Sequence, residues 1–468
     1  MDCRNTVGYS FTRNVKTKMN KKVVIVGAGE SGTGAALLAK VKGYDIFVSD
    51  QGLIKDKYKT ELLTAKIAFE EGTHTSEKIL AADLIIKSPG IPDKADLIKQ
   101  AKAKGIEVID ELEFAFRYLT GKVIAITGTN GKTTTTLLTY HLMKTAGFKV
   151  ALAGNVGESL ARKVAAGAHD WYVIEISSFQ LDGTKNFHPE IGVLTNITPD
   201  HLDRYEYKME NYINSKFQLV RNMTENNFFI YYTDDAVTSQ QLQQRTIAPV
   251  KIPVSLTDNS GSIHYDGEKM IWTFGETTFA VRQSETTLKG PHNLINTMMS
   301  VAAVYLAGGS IQSIKEGLGT FTNAPHRLES VGMIKGVEFV NDSKATNVDS
   351  VVYALGSYAQ PLIWIAGGID KGNDYNIIKA EVAKKVKTLI CLGKDNTKLK
   401  EFFKNVVSEI HEVQTTKDLV RVALKAAHEG DVVLLSPACA SFDLFKNYED
   451  RGNQFRAAVL ELKREVES

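Results

Sequence analysis

Cysteine is scarce in this sequence: Cys3, Cys391 and Cys439 are its three, scattered and without a CxxC pair. That excludes a disulfide-stapled scaffold and a cysteine zinc site, and it points to a reducing compartment, the cytoplasm. Long apolar runs are missing too. No stretch approaches the ~18 consecutive apolar residues of a membrane-spanning helix, so no membrane insertion is expected. Net charge is small, with 56 basic against 54 acidic side chains leaving +2. That balance argues for no nucleic-acid partner and no charged membrane surface. There is no fixed-period repeat and no low-complexity tract, which leaves ordinary globular domains. Residues 1–18 are polar and basic and lack the apolar core of a secretory signal. They are expected to be a disordered extension ahead of Met19.

What is present is a chain of 468 residues, 43% apolar and 24% charged. At roughly 100–200 residues per domain it holds two to four domains. Three blocks appear, each alternating short apolar β-rich runs with longer helical patterns, which predicts parallel sheets flanked by helices. The expected fold is α/β with three domains. These are an N-terminal Rossmann-like domain at 19–117, a central P-loop ATPase-like parallel sheet at 118–324, and a C-terminal Rossmann-like domain at 325–468.

The first block opens with VVIVG and then Gly27-Ala-Gly-Glu-Ser-Gly32, a G-x-G-x-x-G string between a strand and a helix. Asp50 ends the next strand. Glycines let the backbone approach a pyrophosphate, and the helix N-terminus offers its N–H groups. The geometry serves a nicotinamide, a flavin or a UDP-sugar alike, and a tight turn without a ligand also fits it. The second block opens with VIAIT and then GTNGKTTTT at 128–136. Backbone N–H groups of 129–133 are placed to wrap phosphate oxygens, Lys132 supplies a point charge, and the Thr133 hydroxyl can ligate Mg²⁺. Only two residues separate Gly128 from Gly131, so this is a shortened Walker loop. Glu175 lies inside the apolar run WYVIEI, where a carboxylate is costly unless paired or metal-bound. Both a salt bridge and a magnesium site satisfy that condition. His201 follows a strand end, flanked by Asp200 and Asp203. Lys216, taken alone, reads as a solvated helical lysine. The third block carries three polar strings at strand ends, NDSKATN (341–347), GGIDKGNDY (367–375) and SPACASFDLFKNYEDRG (436–452). Each alone fits an ordinary capped loop.

Together these strings resemble the Mur ligase family, the ATP-dependent amide-forming enzymes of peptidoglycan precursor synthesis. Further matching strings are SPGIP (88–92), GNVG (154–157), EISSFQL (175–181), DHLDRY (200–205) and PHR (325–327). The resemblance covers about 19–465, and GTNGKTT is that family's form of the phosphate loop. It implies addition of D-glutamate to UDP-N-acetylmuramoyl-L-alanine through an acyl phosphate, with ATP and Mg²⁺ as cofactors. The implied partners are small-molecule substrates only, and a monomer is expected.

The family's roles carry over onto matching positions. Gly29, Glu30, Ser31 and Gly32 would approach the substrate diphosphate, with Asp50 by the uridine and Asn155 near the muramoyl-alanine end. Gly128, Thr129, Asn130, Gly131, Lys132, Thr133 and Thr134 would hold the ATP phosphates. Asn293, Arg327, Asp342 and Lys344 would contact adenine, ribose or phosphate. Thr133, Glu175 and His201 would ligate metal, as would Lys216 once carbamylated. Thr346, Lys371, Ser441 and Tyr448 would hold D-glutamate. Lys132, His201 and Lys216 would carry catalysis. A folylpolyglutamate synthase-like ligase and an NAD-dependent oxidoreductase are the rival readings.

Overall fold

The computed structural model describes residues 21–288 and 290–467. The extension expected at 1–18, and Cys3 with it, lies outside the described residues. The chain divides into two compact units. One takes the described residues up to Thr286 together with Ile295–Phe321, and the other takes Thr287–Leu294 and the chain from Thr322 onward.

The first unit holds two sheets. The N-terminal one has five parallel strands in the spatial order Ala68–Glu71, Asp45–Asp50, Lys22–Val26, Leu84–Lys87, Glu107–Asp110. Val23, Val24, Ile25 and Val26 are all buried, because helices cover both faces of a parallel sheet. The central sheet has nine strands, in the order Thr277–Arg282, Lys269–Phe274, Ile263–Tyr265, Val250–Ser255, Phe228–Tyr232, Ile191–Leu194, Lys122–Thr127, Trp171–Glu175, Val150–Gly154. Its strands run parallel except around Lys269–Phe274, which pairs antiparallel with both of its neighbours. In each sheet the first strand in sequence lies inside the order, between strands reached by crossovers on opposite sides. Such a switch point opens a crevice at the carboxyl ends of the strands. The two glycine-rich loops follow those two strands, at Val26 and Thr127.

One apolar core runs through both sheets, from Val23 and Ile25 by way of Leu112, Phe114 and Phe116 to Ile174 and Leu194. The helix Glu111–Phe116 that joins the sheets is buried along its whole length. Its acids are built in. Glu113 is fully buried and accepts from the N–H groups of Lys185 (2.9 Å), Asn186 (3.0 Å) and Phe187 (3.2 Å). Glu111 accepts from Ala161 N–H at 2.6 Å, and burial pushes its carboxyl up to about 8. Asp110 pairs with the buried Lys87 at 2.7 Å. A second helix contact is set by size: Glu30–Val41 carries Gly34 where a Cβ would meet Ser159 Oγ at 2.0 Å, so glycine lets it lie against Leu160–Ala166.

The second unit holds a six-stranded sheet in the order Glu329–Ile334, Val337–Asn341, Val432–Leu435, Leu362–Ala366, Val386–Leu392, Glu409–Val413. Only the first pair is antiparallel. Val432–Leu435 sits at its centre, so the loop that follows has a neighbouring loop on each side, after Asn341 and after Ala366. The strings NDSKATN, GGIDKGNDY and SPACASFD occupy those three loops.

Candidate active site

The phosphate loop is shaped by glycine and pinned by asparagine. Gly128 (φ 142°) and Gly131 (φ 83°) both adopt positive φ. A Cβ on Gly128 would meet Thr195 Oγ1 at 2.0 Å, so no larger residue fits. Thr129 N–H donates to Asn196 O and Asn130 N–H to Asn196 Oδ1, each at 2.9 Å. Of the 129–133 N–H groups expected to be able to wrap phosphate, the first two hold the loop in this structure. The anion-facing end is the start of helix Lys132–Thr145, where Gly131 stands at the cap and no side chain caps the helix. Helix N-terminal N–H groups and dipole both favour an anion there. Lys132 Nζ donates to Thr129 O at 2.7 Å, so its charge sits over the loop.

Three further expected residues gather at the same strand ends. Glu175 closes strand Trp171–Glu175 in register with Ile126, beside the strand that feeds the loop. Its side chain is 2% exposed, and Oε1 accepts from Asn155 Nδ2 at 2.9 Å. The Asn155 N–H also donates to Glu175 O at 2.9 Å, so these two residues are locked together. Lys216 overturns the reading of it as a solvated helical residue. It is 2% exposed on helix Met209–Phe217, and its Nζ donates to Gly128 O at 2.8 Å and Thr127 Oγ1 at 3.3 Å. Burial first, and then the charge of Lys132, drive its pKa well below the ordinary lysine value. A signal was present in the sequence: Lys216 stands four residues after Tyr212 and three after Ile213, on the buried face of the helix.

His201 is exposed, in a left-handed backbone conformation (φ 51°), with its Nε2 3.6 Å from Asp200 Oδ2. Partial desolvation and the Lys132 and Lys216 charges lower its pKa, while Asp200 opposes them. Phe179 meets the imidazole edge-on at 5.2 Å and carries the Arg204 guanidinium 4.0 Å above its ring centre. Among the described residues no group of three or more His, Cys, Asp and Glu side chains forms a ready-made metal cage. Magnesium rarely uses one. It is held by one or two carboxylates together with water and phosphate oxygens. The buried Glu175 carboxylate and Thr133 hydroxyl are hard oxygen donors of that kind, so the residues fit the ion.

In the N-terminal sheet, Asp50 anchors the first glycine loop. Its Oδ2 accepts from Ala28 N–H at 2.6 Å and its Oδ1 from Gly52 N–H at 2.8 Å. Gly32 packs so tightly that a Cβ would lie 1.8 Å from Gly27 O, whereas a Cβ on Gly29 would meet nothing within 4 Å, so the backbone there is open to a ligand. The carboxylate of Glu30 faces Ser159 N–H (3.0 Å) and Arg162 Nε (2.7 Å), and Arg162 also reaches Glu61 at 2.6 Å. Any approach of Glu30 to a diphosphate is left to its main chain.

In the second unit, Asp342 is buried after strand Val337–Asn341 and accepts from Ser436 Oγ at 2.9 Å and Leu328 N–H at 3.2 Å. Burial raises its pKa to about 7, against the pull of Ser436 and Arg327. Lys344 Nζ lies 5.3 Å from the Tyr448 ring centre. Thr346 is half-buried, Ser441 buried, and Lys371 exposed. Asp370 shapes the turn that presents Lys371, accepting from Gly372 N–H (2.7 Å), Asn373 N–H (2.9 Å) and the Tyr375 hydroxyl (2.8 Å). Asn293 is buried near the start of helix Pro291–Leu306.

Sequence reasoning held Arg451 only as part of the third polar string and gave it no role of its own. It is 1% exposed and joins all three polar loops, donating to Ser343 Oγ and O (both 2.9 Å), Cys439 O (3.3 Å) and Gly367 O (3.4 Å). An arginine on a C-terminal helix reads as solvated, and only the return of helix Tyr448–Glu467 beneath the loops makes it a tie.

Three family models match the chain: the Mur ligase MurD-like N-terminal domain over residues 21–110, the Mur ligase middle domain over 126–304, and the Mur ligase glutamate ligase domain over 326–439. A UDP-N-acetylmuramoylalanine–D-glutamate ligase of Cytophaga hutchinsonii is 52% identical, covering 95% of this chain and 100% of its own. One of Bacteroides fragilis is 51% identical over 94% of this chain and 100% of its own. Among solved structures, a pseudomurein peptide ligase type C from Methanothermus fervidus superposes with a TM-score of 0.62 at 20% identity, covering 95% of this chain and all of its own. The UDP-N-acetylmuramate-alanine ligase MurC from Thermotoga maritima also reaches 0.62, at 17% identity over 94% of this chain and all of its own. These two share the fold.

Proposed function

The chain belongs to the Mur ligase family, and from that membership we propose that it joins D-glutamate to UDP-N-acetylmuramoyl-L-alanine at the expense of ATP, in peptidoglycan precursor synthesis. The observation that carries the reading is the 52% identity, end to end, with a relative that bears that activity in its name. The site chemistry supports it. A carboxylate forms an amide only after activation, and a phosphate-binding helix start beside Lys132 is suited to phosphoryl transfer.

In the proposed sequence the L-alanyl carboxylate attacks the γ-phosphorus of ATP, the bond to the β-phosphate oxygen breaks, and acyl phosphate and ADP form. The helix start at Gly131–Thr134 orients the phosphates, and Lys132 neutralises charge that builds on the transferring group. Asn155, locked to Glu175, is proposed to hold the muramoyl-alanine end. The neutral amine of D-glutamate then attacks the acyl carbon, and the tetrahedral intermediate expels phosphate. His201, its pKa lowered, is the candidate acceptor of the amine proton. Thr346, Lys371, Ser441 and Tyr448 are proposed to hold D-glutamate, and Asn293, Arg327, Asp342 and Lys344 the nucleotide. Magnesium, held by Glu175 and Thr133, would supply charge neutralisation on the phosphates, with the His201 lone pair kept for the amine proton. Lys216 in its neutral form is the form of an amine that adds CO₂, and the resulting carbamate would turn a buried amine into an anionic oxygen donor.

The test is phosphate release by the purified protein with ATP, Mg²⁺ and UDP-N-acetylmuramoyl-L-alanine across a panel of D- and L-amino acids. Release only with D-glutamate, with the matching mass gain on the nucleotide, is expected. Release with a different amino acid would overturn the acceptor assignment, and no release with any would overturn the ligase reading.

A further inference from the structure

Beside the first glycine loop lies a buried side-chain relay that the reaction above does not use. Ser49 is fully buried, one residue before Asp50, and its carbonyl accepts from Gly27 N–H at 2.8 Å. Its hydroxyl oxygen lies 2.8 Å from Glu70 Oε1 and 2.7 Å from His74 Nδ1. Glu70 stands opposite Ser49 on the neighbouring strand and also accepts from Thr75 N–H (2.8 Å), Thr75 Oγ1 (2.7 Å) and Lys78 Nζ (3.1 Å). Desolvation would raise the Glu70 pKa, but these hydrogen bonds outweigh it and hold it at about 2. Glu70 is therefore an acceptor only. The Ser49 hydroxyl has two acceptors in reach, Glu70 Oε1 at 2.8 Å and Thr73 O at 3.4 Å, and its single proton goes to one of these, so its oxygen accepts from His74 Nδ1. In the neutral imidazole this selects the tautomer with its proton on Nδ1, which leaves the lone pair on Nε2.

The place of this lone pair follows from the strand order. Lys22–Val26, Asp45–Asp50 and Ala68–Glu71 are successive neighbours in the sheet, and the glycine loop, Asp50 and His74 follow their carboxyl ends in that order. Two strand spacings put His74 about 10 Å along the sheet from the glycine loop. A nucleoside whose diphosphate lies on that loop extends over that range, with its ribose passing the Asp50 strand. His74 is half-exposed at this edge, able to meet a ligand.

We propose that His74 reads the base of the UDP-linked substrate, its Nε2 accepting the uracil N3–H, with Ser49 and Glu70 as positioning residues that hold the tautomer. This inference rests on the UDP-linked substrate of the proposed function. A ring nitrogen fixed as an acceptor selects a base edge with a central donor, and a site built around one hydrogen bond rejects the analogue that lacks it.

The experiment compares UDP with N3-methyl-UDP by titration calorimetry on wild type, His74→Ala, His74→Gln and Ser49→Ala, alongside phosphate release with the full substrates. Wild type should bind UDP about tenfold or more tighter than N3-methyl-UDP. His74→Ala should lose about tenfold in UDP affinity and most of that discrimination, with the KM values for ATP and D-glutamate unchanged. His74→Gln, which offers an amide oxygen, should recover part of both, and Ser49→Ala should weaken discrimination with His74 still present. Equal binding of the two nucleotides by wild type, or unchanged discrimination in His74→Ala, would overturn the inference while phosphate release left the ligase reading standing. Discrimination that depends on His74 in a protein that releases no phosphate would support the inference and sink the ligase reading. No binding of UDP at all would overturn the inference.

Discussion

Lys216 Nζ donates to the carbonyl oxygen of Gly128 at 2.8 Å, from a side chain 2% exposed. A lysine on one helix thus ends at the first residue of a phosphate loop built by another segment. Burying an amine there disfavours its charged form, which makes it a nucleophile rather than a surface cation. Lys216→Ala is expected to lower phosphate release by a factor of about 10² or more, because the cation-balancing group it would carry is gone. Added short carboxylates should restore part of the rate. A full rate in Lys216→Ala would remove this lysine from the mechanism.

Lys132→Ala should reduce turnover by about 10³-fold, from loss of charge neutralisation on the transferring phosphoryl group. Lys132 sits in the first turn of its helix and donates to Thr129 O three residues away, and the melting temperature should stay close to wild type. Steady-state kinetics together with a thermal melt separate the two effects.

Glu111 ties stability to pH. Its carboxyl is raised from 4.5 to about 8 by burial, so between those values the folded protein keeps a proton that the unfolded chain releases. Stability contributed by the protonated group is therefore full below about pH 4.5 and is lost as pH rises toward 8. Glu111→Gln keeps an acceptor for Ala161 N–H without the ionisation. It should flatten this part of the pH–melting curve and be the more stable form at pH 8, by on the order of 1–3 kcal/mol. Parallel curves for the two proteins would refute the assignment.

Glu113→Ala should destabilise the protein by about 2–4 kcal/mol, since it removes the buried carboxylate that accepts from the N–H groups of Lys185, Asn186 and Phe187. The loss should appear in denaturant unfolding of the unit that holds both sheets. A change below about 0.5 kcal/mol, the size of a surface substitution, would mean water replaces the carboxylate there.

Arg451→Lys should raise the KM for D-glutamate about tenfold while the KM for ATP changes little. A lysine keeps the charge but cannot span Ser343, Gly367 and Cys439 at once. Arg451→Met, which leaves those carbonyls without a donor, should fold with lower stability, by about 2–4 kcal/mol. Equal KM for D-glutamate in wild type and Arg451→Lys would show that the tie does not set the loop positions.

Much of the molecule was legible in the chain itself. Runs such as VVIV, VIAI, LIWIA and VVLL are apolar throughout and short, which only a sheet covered on both faces requires. The glycines at 27–32 and 128–131 mark strand-to-helix turns because side chains would collide there, as the 1.8 Å and 2.0 Å approaches at Gly32 and Gly128 record. Local chemistry of this kind is written into neighbouring residues. It fixes where phosphate loops and polar strand-end strings fall whatever the rest of the chain does.

Tertiary structure decided the rest. The edge strand Ala68–Glu71 went unread because half of its AFEE sequence is acidic, and Glu70 has a reason to be there only through Ser49, Thr75 and Lys78. Asn196 takes the N–H groups of Thr129 and Asn130 across a gap of more than sixty residues. Lys216 and Arg451 are polar residues on helices, and nothing local distinguishes them from solvated ones except the face they share with apolar neighbours. Whether such a face is covered depends on what packs against it, and that is set by contacts between segments distant in sequence. The residue types and motifs therefore came from the chain, while the protonation, burial and partners that give those residues their chemistry came from the fold.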